Sequence, residues 1–290
     1  MSKPKAVMIN PDRFERTQIK YYIALLPFLF IVVLPIVYVA SSAFKPIEEL
    51  FAYPPQFIVH RPTMKNFIKL FYTSGNTVYP ISMYIFNSVL SCALVIVLGT
   101  IIPLAAAYAL SKLRFKGREL IFKANSLSMM FVATAVSIPR YLIFKNVGLL
   151  DTFAANVIPF LATPVLVFLL KQFIDQVPDA VIESARLDGA NDYRILFSIV
   201  LPIIKPSIAT AVIVLFQNSW NSMEASNLFI NRESLKTFAF YMNSLSASNN
   251  GVAGVGMAAA AALIMLAPNI ILFTVMQSRV MNTMAHSGIK

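Results

Sequence analysis

The chain has 290 residues, 58% of them hydrophobic and only 13% charged, with a mean hydropathy of +0.70, whereas soluble domains carry about twice that charged share. This composition excludes an ordinary water-soluble globule and points to lipid. The formal net charge of +11 would suit nucleic acid if the bases formed one face. Instead they sit in the connections between apolar stretches, which excludes a nucleic-acid partner.

A spanning helix needs roughly 20 apolar residues. Taken in order, residues 1–20 are polar and read as a cytoplasmic tail, and residues 21–290 read as one transmembrane domain. Apolar windows predict spans over about 21–44, 84–111, 122–144, 152–171, 203–224 and 252–279, an all-α polytopic fold with six transmembrane helices. The first window is too long for a leader peptide, contains Pro27 and Pro35, and lacks a small-residue cleavage pattern, so it is expected to be a span. The third is the weakest, interrupted by Asn125, Ser126, Ser128, Thr134 and Ser137, and running past Arg140.

Of the connections, residues 45–80 are rich in proline and aromatic residues. Phe67, Leu70 and Phe71 stand there at helical spacing, as in an amphipathic element lying on the outer membrane surface. Residues 112–123 make a basic turn, and 146–151 a tight turn with Gly148. The loop 172–202 and the segment 225–251 are long enough to carry function; the latter ends in a turn-rich tip, Ser246 to Gly251. With the termini and the second and fourth connections on one side, that side holds 16 of the 24 Lys and Arg residues, which predicts both termini in the cytoplasm of a bacterial cell membrane. Cys92 is the single cysteine, so no disulfide forms within the chain. His60 and His286 are far apart and flank no acidic cluster, so no metal site is expected.

The loop 172–202 has a readable local structure. Pro178 suits the first position of a helix, with Asp179 favouring the positive end of its dipole, and Gly189 suits the left-handed position that ends one. Asn191 or Asp192 can cap a second helix that runs to an interruption at Pro202. A short helix with small residues and a charged rim is suited to seating in a cleft of another protein; an ordinary amphipathic connector is the alternative.

These residues carry a resemblance. The run Glu183-Ser184-Ala185-Arg186-Leu187-Asp188-Gly189, followed at Ile199-Val200-Leu201-Pro202, resembles the Glu-Ala-Ala loop of bacterial ABC importer permeases, with Ser184 in place of the first alanine. Asp188-Gly189-Ala190 is similar to the carbohydrate-uptake, maltose permease-like subfamily, as are Asn87-Ser88, Tyr108, Gly148 to Thr152 and Trp220-Asn221. The resemblance implies the type I importer permease fold, with Glu183, Ser184, Ala185, Asp188 and Gly189 forming a coupling helix on a cytoplasmic ATPase. It also implies a second, non-identical permease, two ATPase subunits and an extracytoplasmic solute-binding protein. No Gly-x-x-x-x-Gly-Lys-Ser/Thr loop is present, so ATP and its magnesium are expected on the partner ATPase, with no cofactor in this chain and no catalysis by it.

The end of the fifth span offers a candidate substrate path. Gln217, Asn221 and Glu224 recur on one helical face, Trp220 supplies an aromatic plane of the kind sugars stack on, and Arg140 could contact an anionic group. The alternatives are interhelical hydrogen bonds for the amides, an interfacial anchor for Trp220 and a snorkelling arginine. Gly251, Gly254, Gly256 and the alanines at 258–262 read as packing surfaces of span six.

A secondary transporter or channel would need ionisable residues in mid-span, and a membrane enzyme a His, Cys or paired-carboxylate constellation; the sequence offers neither. The expected function is therefore passage of a carbohydrate, a di- or oligosaccharide, powered by a separate ATPase. A non-sugar solute such as glycerol phosphate is the alternative.

Overall fold

The structure is a computed structural model that describes residues 18–72, 79–247 and 252–287. Among these residues all regular structure is helical. Helix α1 (Ile19–Phe44) leads into a short α2 (Ile47–Leu50) and α3 (Lys65–Tyr72), then α4 (Ile81–Lys112), α5 (Arg118–Ser128) and α6 (Ala133–Asn146). Two 3₁₀ turns precede α7 (Pro164–Asp175), which opens with proline at its first position. The expected coupling segment is α8 (Asp179–Leu187), α9 (Asp192–Ile195), a π-helical turn over Leu196–Val200 and α10 (Leu201–Ile203). Beyond it come α11 (Lys205–Trp220), α12 (Glu224–Leu228), α13 (Phe238–Ala247) and α14 (Val252–Ser287).

Three single helices among the described residues are long and apolar enough to cross a bilayer: α1, α4 and the Gly254–Gln277 part of α14. Two bent pairs raise this to as many as five, one bent by 42° ahead of α7 and the other by 88° between α10 and α11. The expected break at Pro202 is displaced to Ile204–Lys205: the helical run continues from Asp192 through Pro202 to Ile203, with a π-helical turn over Leu196–Val200 just before the proline that lacks an N–H to donate. The predicted third span is two helices, α5 and α6, separated at residues 129–132. Its polar side chains turn on their own backbone: Ser126 Oγ donates to Phe122 O at 2.9 Å and Ser128 Oγ to Asn125 O at 2.6 Å. Such bonds compete with a continuous helical ladder.

Two main cores hold the helices together. One runs from Val95, Leu104 and Tyr108 on α4 through Leu166, Leu170 and Ile174 on α7 to Ile182, Ala185, Ile195 and Val200 of the coupling segment. The other joins the end of α1, Leu70 of α3, Tyr84 of α4, Trp220, α13 and the alanines of α14. The amphipathic helix expected within residues 45–80 is present as α3, with Leu70 fully buried and Phe71 exposed. Asn66 beside it donates to Ala43 O and Lys45 O at 2.9 and 2.8 Å. A Cβ on Gly256 would lie 2.6 Å from Asn66 Oδ1, so that glycine admits the close approach of α3 to α14, whereas Gly254 faces open space. Segment 225–247 is largely a packed element built on Phe238, Ala239 and Tyr241. Of the expected tip, Ser246 and Ala247 end α13, and residues 248–251, including Gly251, lie outside the described residues.

Candidate functional site

Helix α8 is amphipathic at its own small scale. Ile182 and Ala185 are buried in the first core, while Glu183, Ser184, Leu187, Asp188 and Gly189 are exposed. This divides the small pair. Ser184 faces outward, as a close-fitting surface requires, but Ala185 is corrected to the inner face, where its small side chain lets α8 lie tightly on its own chain. The helix ends in a Schellman motif. Gly189 has φ +80°, its N–H donates to Arg186 O at 3.0 Å and the Ala190 N–H to Ala185 O at 3.0 Å. The reversal is then sealed by Asn191, whose Oδ1 accepts from the Arg194 N–H at 2.9 Å as the cap of α9.

The coupling segment is also braced to the end of α4, which sequence reasoning missed. Lys112 Nζ donates to Val177 O and Asp179 Oδ1, both at 2.6 Å, and Ser111 Oγ to Asp175 Oδ1 at 2.5 Å. At the far end of α8, Asp192 Oδ1 accepts from Tyr108 Oη at 3.1 Å and from Arg186 Nη2 at 3.0 Å. The Lys112 ammonium holds the Asp179 carboxyl below its ordinary range. Both ends of α8 are thus tied to one transmembrane helix, and the core beneath it continues into α7 and α11. An exposed Leu187 (89%) and Tyr193 (77%) project from this rigid mount. Isolated apolar side chains on a surface are ordinary, but here a leucine and a tyrosine stand exposed on the same short segment.

On the other side of the molecule α11 is two-faced. Leu215, Ser219 and Trp220 are buried, while Gln217, Asn218 and Asn221 are exposed. The sugar-stacking reading of Trp220 is corrected: its ring is 4% exposed, stacks on Phe216 at 5.7 Å and donates from Nε1 to Met265 O at 2.9 Å, so its plane is closed within the second core. Asn221 Nδ2 donates to Gln217 O at 2.8 Å along the exposed face. Arg140 and Glu224, read separately from the sequence, are brought together with Nη1 to Oε1 at 2.8 Å. Residues 129–132 add a signal that hydropathy missed, since Met130, Phe131 and Val132 are exposed there on non-helical backbone.

The outer loops are clasped by Asp151, which has φ +56°. Its carboxylate accepts from the backbone N–H groups of Asn231 and Arg232 and from Arg232 Nε, at 3.1, 2.8 and 2.9 Å. The Arg232 backbone N–H, followed by its guanidinium, holds that carboxyl below its ordinary range. Stacking of Phe144 on Phe229 at 4.7 Å completes a third, small core beneath the clasp. Among the described residues no group of three or more His, Cys, Asp or Glu comes together as a metal site would need.

A helical membrane domain with a short, exposed helix braced on the end of a long apolar one suits an importer permease subunit, a non-catalytic membrane component. The chain belongs to the ABC importer permease family described as binding-protein-dependent transport system inner membrane components, which residues 115–278 match. Among its relatives, the Bacillus subtilis polygalacturonan/rhamnogalacturonan transport system permease YtcP is 31% identical over 71% of this chain and 70% of its own length. The Halalkalibacterium halodurans arabinooligosaccharide transport system permease AraQ is 30% identical over 67% and 68%. A crystal structure of a bacterial ABC transporter that imports the acidic polysaccharide alginate aligns with a TM-score of 0.79 at 21% identity, over 92% of this chain and 98% of that one, a likeness of fold.

Proposed function

We propose that this permease forms half of the translocation pathway for an oligosaccharide, and that α8 transmits to it the closure of a separate ATPase. Carbohydrate is supported by the relatives named for transport of polygalacturonan/rhamnogalacturonan and of arabinooligosaccharides. The observation that carries the coupling role is the Gly189 reversal, a surface turn fixed at φ +80° on a helix tied at both ends to α4.

In this reading Glu183, Ser184, Leu187 and Asp188 contact the ATPase, and Gly189 sets the turn. Two such ATPases bind the ATP and magnesium. A second, non-identical permease completes the path, a solute-binding protein delivers the sugar outside, and six spans place both termini in the cytoplasm. The path itself runs along the exposed Gln217, Asn218 and Asn221 face of α11. Polar side chains at membrane depth are costly against lipid. Non-helical backbone such as residues 129–132 is likewise tolerated only against protein or water.

The test is substitution at Gly189 in the assembled transporter. A left-handed conformation costs a side chain with a Cβ roughly 1–2 kcal/mol, while asparagine accepts it. Gly189→Val is expected to abolish sugar uptake while the permease still inserts, and Gly189→Asn to keep most of it. Normal uptake by Gly189→Val overturns the coupling assignment.

A further inference from the structure

We infer that the Arg140–Glu224 ion pair fixes the charge class of the cargo, making this half-pathway selective for uncharged oligosaccharides, with Glu224 as the specificity-determining residue. The inference rests on the proposed function and adds to it the chemistry of the substrate.

Arg140 lies on α6, whose preceding residues 129–132 are non-helical and exposed; Glu224 opens α12, directly after the exposed polar row on α11. Neither surface is suited to lipid. The ion pair joins the two, so it lies on the edge of the same aqueous surface. It is neither sealed in a core nor free, since the Arg140 and Glu224 side chains keep 28% and 33% of their exposure.

An acidic carbohydrate is recognised by a guanidinium or ammonium group whose donors are available to its carboxylate. Here Arg140, which faces the end of the polar row on α11, already has an acid, as do two cations of the neighbouring loops. Arg140 is held by Glu224 at 2.8 Å, Arg232 by Asp151 at 2.9 Å and Lys236 by Glu233 at 3.0 Å. A galacturonate residue approaching Arg140 would have to displace Glu224 and leave that carboxylate beside its own. A neutral sugar meets hydroxyl-matching amides, Gln217, Asn218 and Asn221, and no net charge. Relatives of this chain carry cargoes of both kinds by name, a polygalacturonan and arabinooligosaccharides, so the discrimination resides in details of this order.

The experiment is equilibrium binding of fluorescent trigalacturonate to the purified permease–ATPase assembly in nanodiscs, without the solute-binding protein, whose own selectivity would otherwise be read. Wild type is expected to bind it at most weakly. Glu224→Gln, which frees Arg140, is expected to gain about tenfold in affinity, the equivalent of 1.4 kcal/mol, and Arg140→Gln/Glu224→Gln to lose that gain. Co-purification of the partner subunits with each variant shows that the assembly survives. Equal binding by wild type and Glu224→Gln, whether tight, weak or absent, overturns the inference. So does loss of the partner subunits on Glu224→Gln, which makes the pair a subunit contact. Uptake of any oligosaccharide by wild-type proteoliposomes is the separate check on the transporter reading, and its absence would sink that reading regardless of the variants.

Discussion

The α8 end and the exposed α11 face of this permease, to which coupling and the substrate path are assigned in the proposed function, are built on opposite principles. Around α8 a charged, solvent-facing helix is pinned by a buried isoleucine, a glycine reversal, an asparagine cap and four side-chain bonds between the end of α4 and residues 175–192. Along α6, the Arg140–Glu224 ion pair and the packing of Phe144 on Phe229 stand among exposed side chains, and α11 leaves the Gln217, Asn218 and Asn221 face open while Trp220 closes its opposite face on Phe216 and Met265. A part that must transmit displacement has to be stiff relative to what it drives. A part that must admit a hydrated cargo has to leave surface uncommitted until the partner subunit and substrate arrive. The difference in packing is the one that the two proposed tasks require.

The comparison can be broken most sharply beneath α8. Ile182→Ala removes the side chain that seats the coupling helix and is expected to cost about 2–5 kcal/mol. It should lower both the thermal midpoint of the purified permease and sugar uptake; an unchanged midpoint would show that α8 is held by its polar braces alone. Leu187→Ala sharpens the other side of the same helix. As an exposed anchor it should leave the midpoint unmoved but weaken co-purification of the ATPase, by about 2 kcal/mol if it behaves as an interface hot spot. Undiminished ATPase capture would remove Leu187 from the contact.

A smaller loss, about 1 kcal/mol, is expected for Asn191→Ala, which deletes the cap of α9, and chemical denaturation of the solubilised protein measures it. The smallest effect concerns pH at the outer clasp. The Asp151 carboxyl is depressed, so its contribution is fully present above the ordinary carboxylate value near 4 and is lost only as pH falls through the lower folded value. The thermal midpoint should therefore be flat from pH 8 to 5, and Asp151→Asn should differ from wild type by the same amount across that window. A difference that grows or shrinks between pH 8 and 5 would mean that the clasp is controlled by another group.

Much of the coupling end was legible because its signals are local. Pro178, Gly189 and Asn191 announce helix starts and stops through backbone chemistry that depends on a few neighbours; the structure places Gly189 and Asn191 as expected and Pro178 one residue earlier, at the cap of α8 and not at its first position. The inward turn of Ala185 was legible only in part, since helical period with Ile182 hints at it but the core that receives it comes from α4 and α7. Lys112 and Asp179 are 67 residues apart and Arg140 and Glu224 are 84 apart, so no spacing rule joins them. Trp220 is the plainest case. Its sequence neighbours are polar, yet its ring is enclosed by α14, and only the fold reveals which face of α11 it occupies.

By itself, then, the sequence determined that the chain lives in lipid, that it is helical, and that a loop with the Glu-Ala-Ala pattern turns at Gly189, because hydropathy, charge placement and turn chemistry are properties of short stretches. The tertiary structure decided which faces are closed and which are open, breaking the third predicted span at residues 129–132, burying Trp220, pairing Arg140 with Glu224 and tying α8 to α4. Those outcomes depend on distant helices meeting, and in a membrane the apolar character of a helix alone does not select its neighbour, since lipid tails solvate it as well as another helix does. Close packing and specific polar contacts make that selection.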